Sequence, residues 1–142
     1  MSRIQAREKA FILIFEYIFN KEKSEITLND ILQDVSFTDD DRQYIQTVYE
    51  GVIANYDQLT SIIAKYSEGF ALNRIYKIDL GILLLALYEL LYMDDIPVSV
   101  TCNEAVNLTK VYSTEKSPSY VNGILANIIK KEGIKKEGIK SQ

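Results

Sequence analysis

A run of ten residues near the middle of the chain constrains the fold more than any other feature of the sequence. Residues 82–91 are apolar apart from Glu89, so a helix through them has no polar face to turn toward water. Such a helix is stable when other helices cover it, which predicts a position in the centre of a bundle. The wider segment 75–93 also contains Lys77 and Asp79, and charged residues fit a buried helix better than a membrane span.

The segments on both sides of this central helix carry apolar residues at helical spacing. Further helices are predicted at residues 6–19, 27–35, 38–54, 59–66 and 98–112, and from residue 117 onward. The chain of 142 residues holds two prolines and six glycines, and no two segments are joined by a hairpin turn sequence. The fold class is therefore predicted to be all-α, with about seven helices in one domain over residues 1–131.

Polar residues mark the expected helix ends. Thr27 and Thr38 are predicted N-caps, and Ser117 before Pro118 is predicted to cap the last helix. Gly69 suits the position just after a helix.

Three consecutive aspartates, residues 39–41, follow Thr38. Neighbouring residues on a helix point in different directions, so these carboxylates are not expected to share a metal ion. Acidic residues in a first turn instead complement the helix dipole. No metal site is predicted.

The residue types disfavour catalysis and predict no cofactor. The chain contains no histidine, which removes the Ser-His and Cys-His nucleophile pairs and the usual general base near neutral pH. Glycine-rich phosphate loops are also absent from the sequence. The single cysteine, Cys102, excludes an intrachain disulfide and favours a reducing, cytoplasmic setting. Cys102 is expected to be an inward, unreactive residue of its helix.

Charge is distributed unevenly along the chain, although the net value is −4. Arg3, Arg7 and Lys9 form a basic group at the front of the chain. Arginine forks pair well with phosphate oxygens, and Arg3 and Arg7 share a helix face at four-residue spacing. The alternative is a solvated helix start. Residues 132–142 repeat a lysine-rich motif with little apolar surface, which predicts a flexible tail.

Several sequence motifs follow one another in a recognisable order. The first helix carries Arg3, Ala6, Arg7 and Ala10, and the central segment reads LNRI, then ALYEL; these are followed by IP at 96–97, NEAV at 103–106 and YVNGIL at 120–125. In this order and spacing the motifs resemble the NusB family of transcription antitermination factors. The resemblance spans residues 3 to about 129. The chain departs from the family pattern at Leu84, Thr101, Cys102 and Ser119, and has Phe70 where a tryptophan is common.

The resemblance implies two antiparallel three-helix sub-bundles, about 1–69 and 70–131, and a non-enzymatic function. It implies pairing with a NusE-type small-subunit ribosomal protein and binding of single-stranded boxA-like RNA in ribosomal RNA leaders. The pair would join the antitermination complex of RNA polymerase and promote read-through. A second interpretation is a helical adaptor between proteins with little RNA affinity of its own.

The candidate RNA-binding residues are Arg3, Arg7, Lys9, Ser119 and Tyr120. The last two are favoured by the resemblance and lie where a helix N-terminus can receive phosphate and an aromatic ring can stack on a base.

The candidate partner-binding residues are Glu89 and Tyr92, on the central helix. Asn122 and Gly123 are expected to be structural, with Gly123 at a close helix crossing and Asn122 bonded within the bundle.

Overall fold

The computed structural model describes residues 2–67 and 72–136. Within them, seven α-helices follow one another: α1 (Arg3–Asn20), α2 (Glu25–Leu32), α3 (Asp39–Ala54), α4 (Tyr56–Lys65), α5 (Lys77–Tyr92), α6 (Val98–Tyr112) and α7 (Ser117–Lys131). A short 3₁₀ turn, Leu72–Arg74, precedes α5. The described residues contain no strand, so the all-α prediction is confirmed. Gly69 and the predicted boundary between sub-bundles lie outside the described residues.

Helix α5 occupies the centre of the molecule, as its apolar sequence predicts. Every residue from Asp79 to Leu90 is buried, and α5 packs against α1, α3, α4, α6 and α7. Helix α1 packs against α3 as well as α5, and α6 packs against α5 and α7. None of the described helices is long and apolar enough to cross a membrane.

The helix starts follow local capping chemistry. Thr38 caps α3 as predicted, because its side chain accepts a hydrogen bond from the backbone N–H of Asp41 at 3.1 Å. Three helices, α1, α2 and α4, begin earlier than predicted. Ser2 forms a capping box with Gln5 and starts α1 at Arg3, and Ser24, rather than the predicted Thr27, caps α2. Serine accepts an N-terminal backbone hydrogen bond at least as readily as threonine.

The last helix corrects one expectation. Ser117 is the first residue of α7 rather than its N-cap, and its side chain bonds to Asp79 of α5 instead. The chain turns at Gly133, which has a φ of 66°. Lys136 is then only 8% exposed, whereas residues 132, 133 and 135 are exposed. Residues 137–142 of the predicted tail lie outside the described residues.

The Lys136 ammonium sits against the C-terminal end of α5. It donates to the carbonyl oxygens of Glu89 at 3.1 Å, Met93 at 3.0 Å and Ile96 at 2.5 Å. The carbonyls of Glu89 and Met93 also accept the backbone N–H groups of Met93 and Ile96, and the partial negative charge at a helix C-terminus favours a cation there. Burial nevertheless lowers the pKa of Lys136. Lys136 therefore contacts the C-terminal end of the central helix, although it lies more than forty residues further along the chain.

Candidate nucleic-acid interface

Arg7, a predicted phosphate contact, is buried in the core. It is 3% exposed, and its Nε donates to Glu89 Oε2 at 2.7 Å while Nη2 lies 3.4 Å from Oε1. Glu89, predicted to contact a partner, is fully buried. Both assignments are wrong for this structure, because a helical carboxylate in the centre of a bundle requires a buried cation as its partner.

Two hydroxyl groups complete the surroundings of the Glu89 carboxylate. The Tyr44 hydroxyl donates to Oε2 and the Thr101 hydroxyl to Oε1, the latter at 2.6 Å. Burial alone lowers the pKa of Arg7, but Tyr44 and Glu89 outweigh it and the pKa is raised. Burial, followed by the charge of Glu89, raises the pKa of Tyr44 well above its usual value. This group, called the Glu89 cluster below, ties α1, α3, α5 and α6 together.

Arg3 lies at the surface but is held by acidic residues of α3. Its Nε donates to Asp41 Oδ1 at 2.8 Å and its Nη2 to Asp40 Oδ2 at 3.0 Å. The guanidinium carbon also lies 4.5 Å from the centre of the Tyr44 ring. The Arg3 side chain keeps 33% of its surface exposed, so solvent still reaches it. Lys9 is half-buried on the same helix.

A second group of candidate residues surrounds a cavity of about 240 Å³ where the 3₁₀ turn, the start of α5 and the α6–α7 turn meet. The cavity, called the basic-aromatic pocket below, is lined by Arg74, Ile75, Tyr76, Asp79, Thr114, Lys116, Ser117 and Tyr120. Tyr76 is 52% exposed and Tyr120 is half-buried. The pocket thus combines two cations with two aromatic rings, which are the groups that bind phosphates and unpaired bases.

Buried hydroxyl groups fix the floor of the basic-aromatic pocket. Asp79 is 4% exposed and accepts hydrogen bonds from Ser113 at 2.6 Å and Ser117 at 3.0 Å. Thr114 is bonded to Ser117 as well, at 2.9 Å between hydroxyl oxygens. These bonds anchor the α6–α7 turn to α5. The pocket walls are therefore positioned before any ligand arrives.

The structure separates the predicted RNA-binding residues into two places. Glu89, beside Arg7, and Asp79, beside Tyr120, are ten positions apart on α5, which corresponds to about 15 Å along the helix axis. Arg74, Tyr76 and Lys116 were missed by the sequence analysis. Only Arg74 had a signal there, since it lies in the LNRI motif.

Tyr92 lies at the surface, whereas Cys102 is less buried than its sequence context predicts. Tyr92 is 44% exposed and donates its hydroxyl to Gln58 Oε1 at 2.8 Å, so it remains available on the surface. Cys102 is half-buried rather than fully inward, and burial raises the pKa of its thiol.

The expected structural roles of Asn122 and Gly123 are wrong. Both residues are exposed, and apart from the adjacent residues and the backbone of its own helix, no atom lies within 4 Å of where a Cβ on Gly123 would be. No helix crosses there among the described residues. Sequence spacing could not reveal this, because both faces of α7 carry small residues near its start.

Comparison with known proteins decides the family. The NusB family model matches residues 4–130. The chain belongs to the NusB family. The transcription antitermination protein NusB of Acetivibrio thermocellus is 43% identical over 130 residues, which are 92% of this chain and 90% of that protein. NusB of Alkaliphilus oremlandii is 39% identical over 94% of this chain and 97% of its own length.

Solved NusB structures share the fold. The structure of T. maritima NusB has a TM-score of 0.85 and 33% identity, and the match covers 92% of each chain. A structure of the antitermination factors NusB and NusE in complex with double-stranded RNA has a TM-score of 0.79, covering 92% of this chain and 99% of that one. At 22% identity, the second likeness concerns the fold.

Proposed function

We propose that this NusB-family protein is a transcription antitermination factor that binds boxA-type RNA of ribosomal RNA leaders. It acts with a NusE-type ribosomal protein in the antitermination complex of RNA polymerase and has no catalytic function. The curated relatives carry the name transcription antitermination protein. The observation that carries the RNA-binding part of the proposal is the basic-aromatic pocket.

The pocket fits one unpaired nucleotide of a single strand. Tyr76 and Tyr120 offer rings for a base, and Arg74 and Lys116 offer charge to the neighbouring phosphates. Ser119 is exposed in the first turn of α7, where free backbone N–H groups favour an anion. Arg3 and Lys9 provide a second basic region toward the other end of α5, along which a longer strand extends.

Tyr92 is the proposed contact for the NusE-type protein. It is exposed beside Gln58, so a partner on this surface meets both an aromatic ring and an amide. Exposed tyrosines suit interfaces because they combine apolar area with a hydrogen bond.

A helical adaptor without intrinsic RNA affinity is the second candidate function. It is favoured by the net charge of −4 and by the carboxylates that already hold Arg3 and Arg7. Under this interpretation the chain still pairs with a NusE-type protein, and that partner supplies the RNA contacts.

Titration of a boxA-like RNA distinguishes the two functions. Affinity is measured for the chain alone, for the NusE-type protein alone and for their mixture, over a series of salt concentrations. Tyr120→Ala is expected to weaken RNA binding by about 1–3 kcal/mol through lost stacking, whereas Tyr17→Ala, away from the pocket, serves as the matched control. The adaptor function would be supported if the mixture bound RNA no more tightly than the NusE-type protein alone and if Tyr120→Ala left that affinity unchanged.

A further inference from the structure

We propose that Asp40 and Asp41 form an intramolecular latch on Arg3, so that RNA gains the Nε–Nη2 edge of this arginine only by displacing the two carboxylates. The inference rests on the proposed function and describes how its second basic region is regulated. Arg3 on α1 and the two aspartates on α3 are 37 and 38 positions apart in sequence. The fold therefore brings them together.

The two carboxylates occupy the same atoms that a phosphate would use. Asp41 accepts from Nε at 2.8 Å and Asp40 from Nη2 at 3.0 Å, which is the edge of the guanidinium that pairs with two oxygens of an anion. The Tyr44 ring lies under the guanidinium at 4.5 Å and fixes its plane. With the Nε–Nη2 edge and one face engaged, only the remaining Nη donors of Arg3 can reach a phosphate while the latch is closed.

The Asp40 half of the latch is weak. The Asp40 side chain is 86% exposed and that of Arg3 is 33% exposed, and water and salt screen ion pairs at such surfaces. The Asp41 side chain is only 9% exposed, so an RNA phosphate must compete mainly with Asp41. A polyanion presents several phosphates at once and releases counterions when it binds. A single phosphate-like anion should therefore compete poorly with the latch, whereas an RNA strand already held at the basic-aromatic pocket competes well.

The third aspartate of the cluster provides a matched control. Asp39 is also exposed and also in the first turn of α3, but it pairs with Arg42 at 2.7 Å instead of Arg3. Asp39→Asn changes the net charge and the helix terminus as Asp40→Asn does, and leaves the latch closed. Thr38 caps α3 in each variant, and asparagine is tolerated near a helix start.

The experiment compares boxA-like RNA affinity at low and high salt for the full chain with its NusE-type partner. Asp40→Asn/Asp41→Asn is expected to tighten binding by roughly three- to ten-fold at low salt. Asp39→Asn/Asp57→Asn, with the same loss of charge, should produce a much smaller gain. In an Arg3→Ala background, the gain from Asp40→Asn/Asp41→Asn should disappear. Helicity and melting are recorded for every variant, and the exposed single variant Asp40→Asn gives a smaller gain if the double variant unfolds.

Two results would overturn the latch. One is an equal gain from both double variants, which would indicate bulk charge alone. The other is a gain that persists without Arg3. If the wild-type mixture shows no RNA affinity beyond that of its partner, the proposed function fails first, so the two failures are distinguishable.

Discussion

Arg7 and Glu89 form an ion pair of 2.7 Å in which the side chains are 4% and 0% exposed. They are 82 positions apart, so the pair joins the first helix to the central one. The sequence placed Arg7 on an RNA-binding surface, and the structure places it in the core. Replacement of Arg7 is therefore expected to lower the stability of the fold.

Arg7→Ala is expected to lower the free energy of unfolding by about 3–5 kcal/mol, because it leaves a buried carboxylate without its cation. Urea unfolding followed by circular dichroism measures the change. The double variant Arg7→Met/Glu89→Gln should recover much of the loss, since the amide oxygen accepts from one of the two hydroxyls, the amide NH2 can donate to the oxygen of the other, and no buried charge remains. An Arg7→Ala protein with unchanged stability and weakened RNA binding would restore the interpretation from sequence.

The cations of the basic-aromatic pocket should control the salt dependence of RNA binding. Arg74→Gln and Lys116→Gln are each expected to reduce the slope of log affinity against log salt by about 0.7, the value for one phosphate contact on a single strand. Lys130→Gln is the control, because this exposed lysine lies about 20 Å along α7 from the pocket. Equal slopes for all three variants would place the RNA elsewhere.

Lys136 should stabilise the protein although it follows the last helix. Lys136→Ala removes a charged donor from the carbonyl oxygens of Glu89 and Met93 at the end of α5 and of Ile96 in the turn that follows, at an expected cost of about 1–3 kcal/mol. Lys135→Ala, at the exposed neighbouring position, should change the stability by less than about 0.5 kcal/mol. Denaturant midpoints of the two variants make the comparison, and equal midpoints would show that the Lys136 contacts carry no net stability.

Replacement of Gly51 and of Gly123 by alanine should change the stability of the protein in opposite directions. A Cβ at Gly51 would overlap the phenol ring of Tyr88, so Gly51→Ala is expected to cost about 1–3 kcal/mol through overpacking. Gly123 is exposed inside α7 with open space around it, so Gly123→Ala should add up to about 1 kcal/mol from helix propensity. Melting temperatures test both. A destabilised Gly123→Ala protein would indicate the close helix crossing that the sequence suggested.

Alkaline pH should destabilise the fold through Tyr112. Burial, together with the hydrogen bond to Glu8, raises its pKa from 10.0 to about 12. Between these values the unfolded state binds fewer protons than the folded one, so stability falls as pH rises. Tyr112→Phe should lose less stability than the wild type over this window. The pKa of Tyr44 is also raised, so the stabilities of the wild type and of Tyr112→Phe are compared at each pH. Stability curves that fall in parallel as pH rises would exclude a contribution from Tyr112.

The sequence predicts those parts of the fold that depend on local pattern. The burial of α5 follows from ten residues that lack a polar face, and the Thr38 cap follows from its position before an acidic turn. The partner of Glu89 could not be predicted, because any of several cations was available and the choice depends on how α1 packs. Lys136 was missed for a related reason: its bonds are to backbone carbonyls, which leave no mark in the sequence.

The candidate site was predicted only in part. Tyr120 was identified because its motif resembles the family pattern, whereas Lys116 and Tyr76 join it only through the meeting of two distant turns. Arg3 was correctly placed at the surface, but its two aspartate partners are on another helix and were interpreted as dipole complements alone.

The Glu89 cluster also has a consequence for synthesis on the ribosome. Glu89 requires Arg7, which is translated early, and Thr101, which is translated later, and the carbonyl of Glu89 finally receives Lys136. A nascent chain that ends before α6 would hold the central helix with an incomplete set of partners. The N-terminal half therefore reaches its final packing only after α6 and Lys136 have been translated.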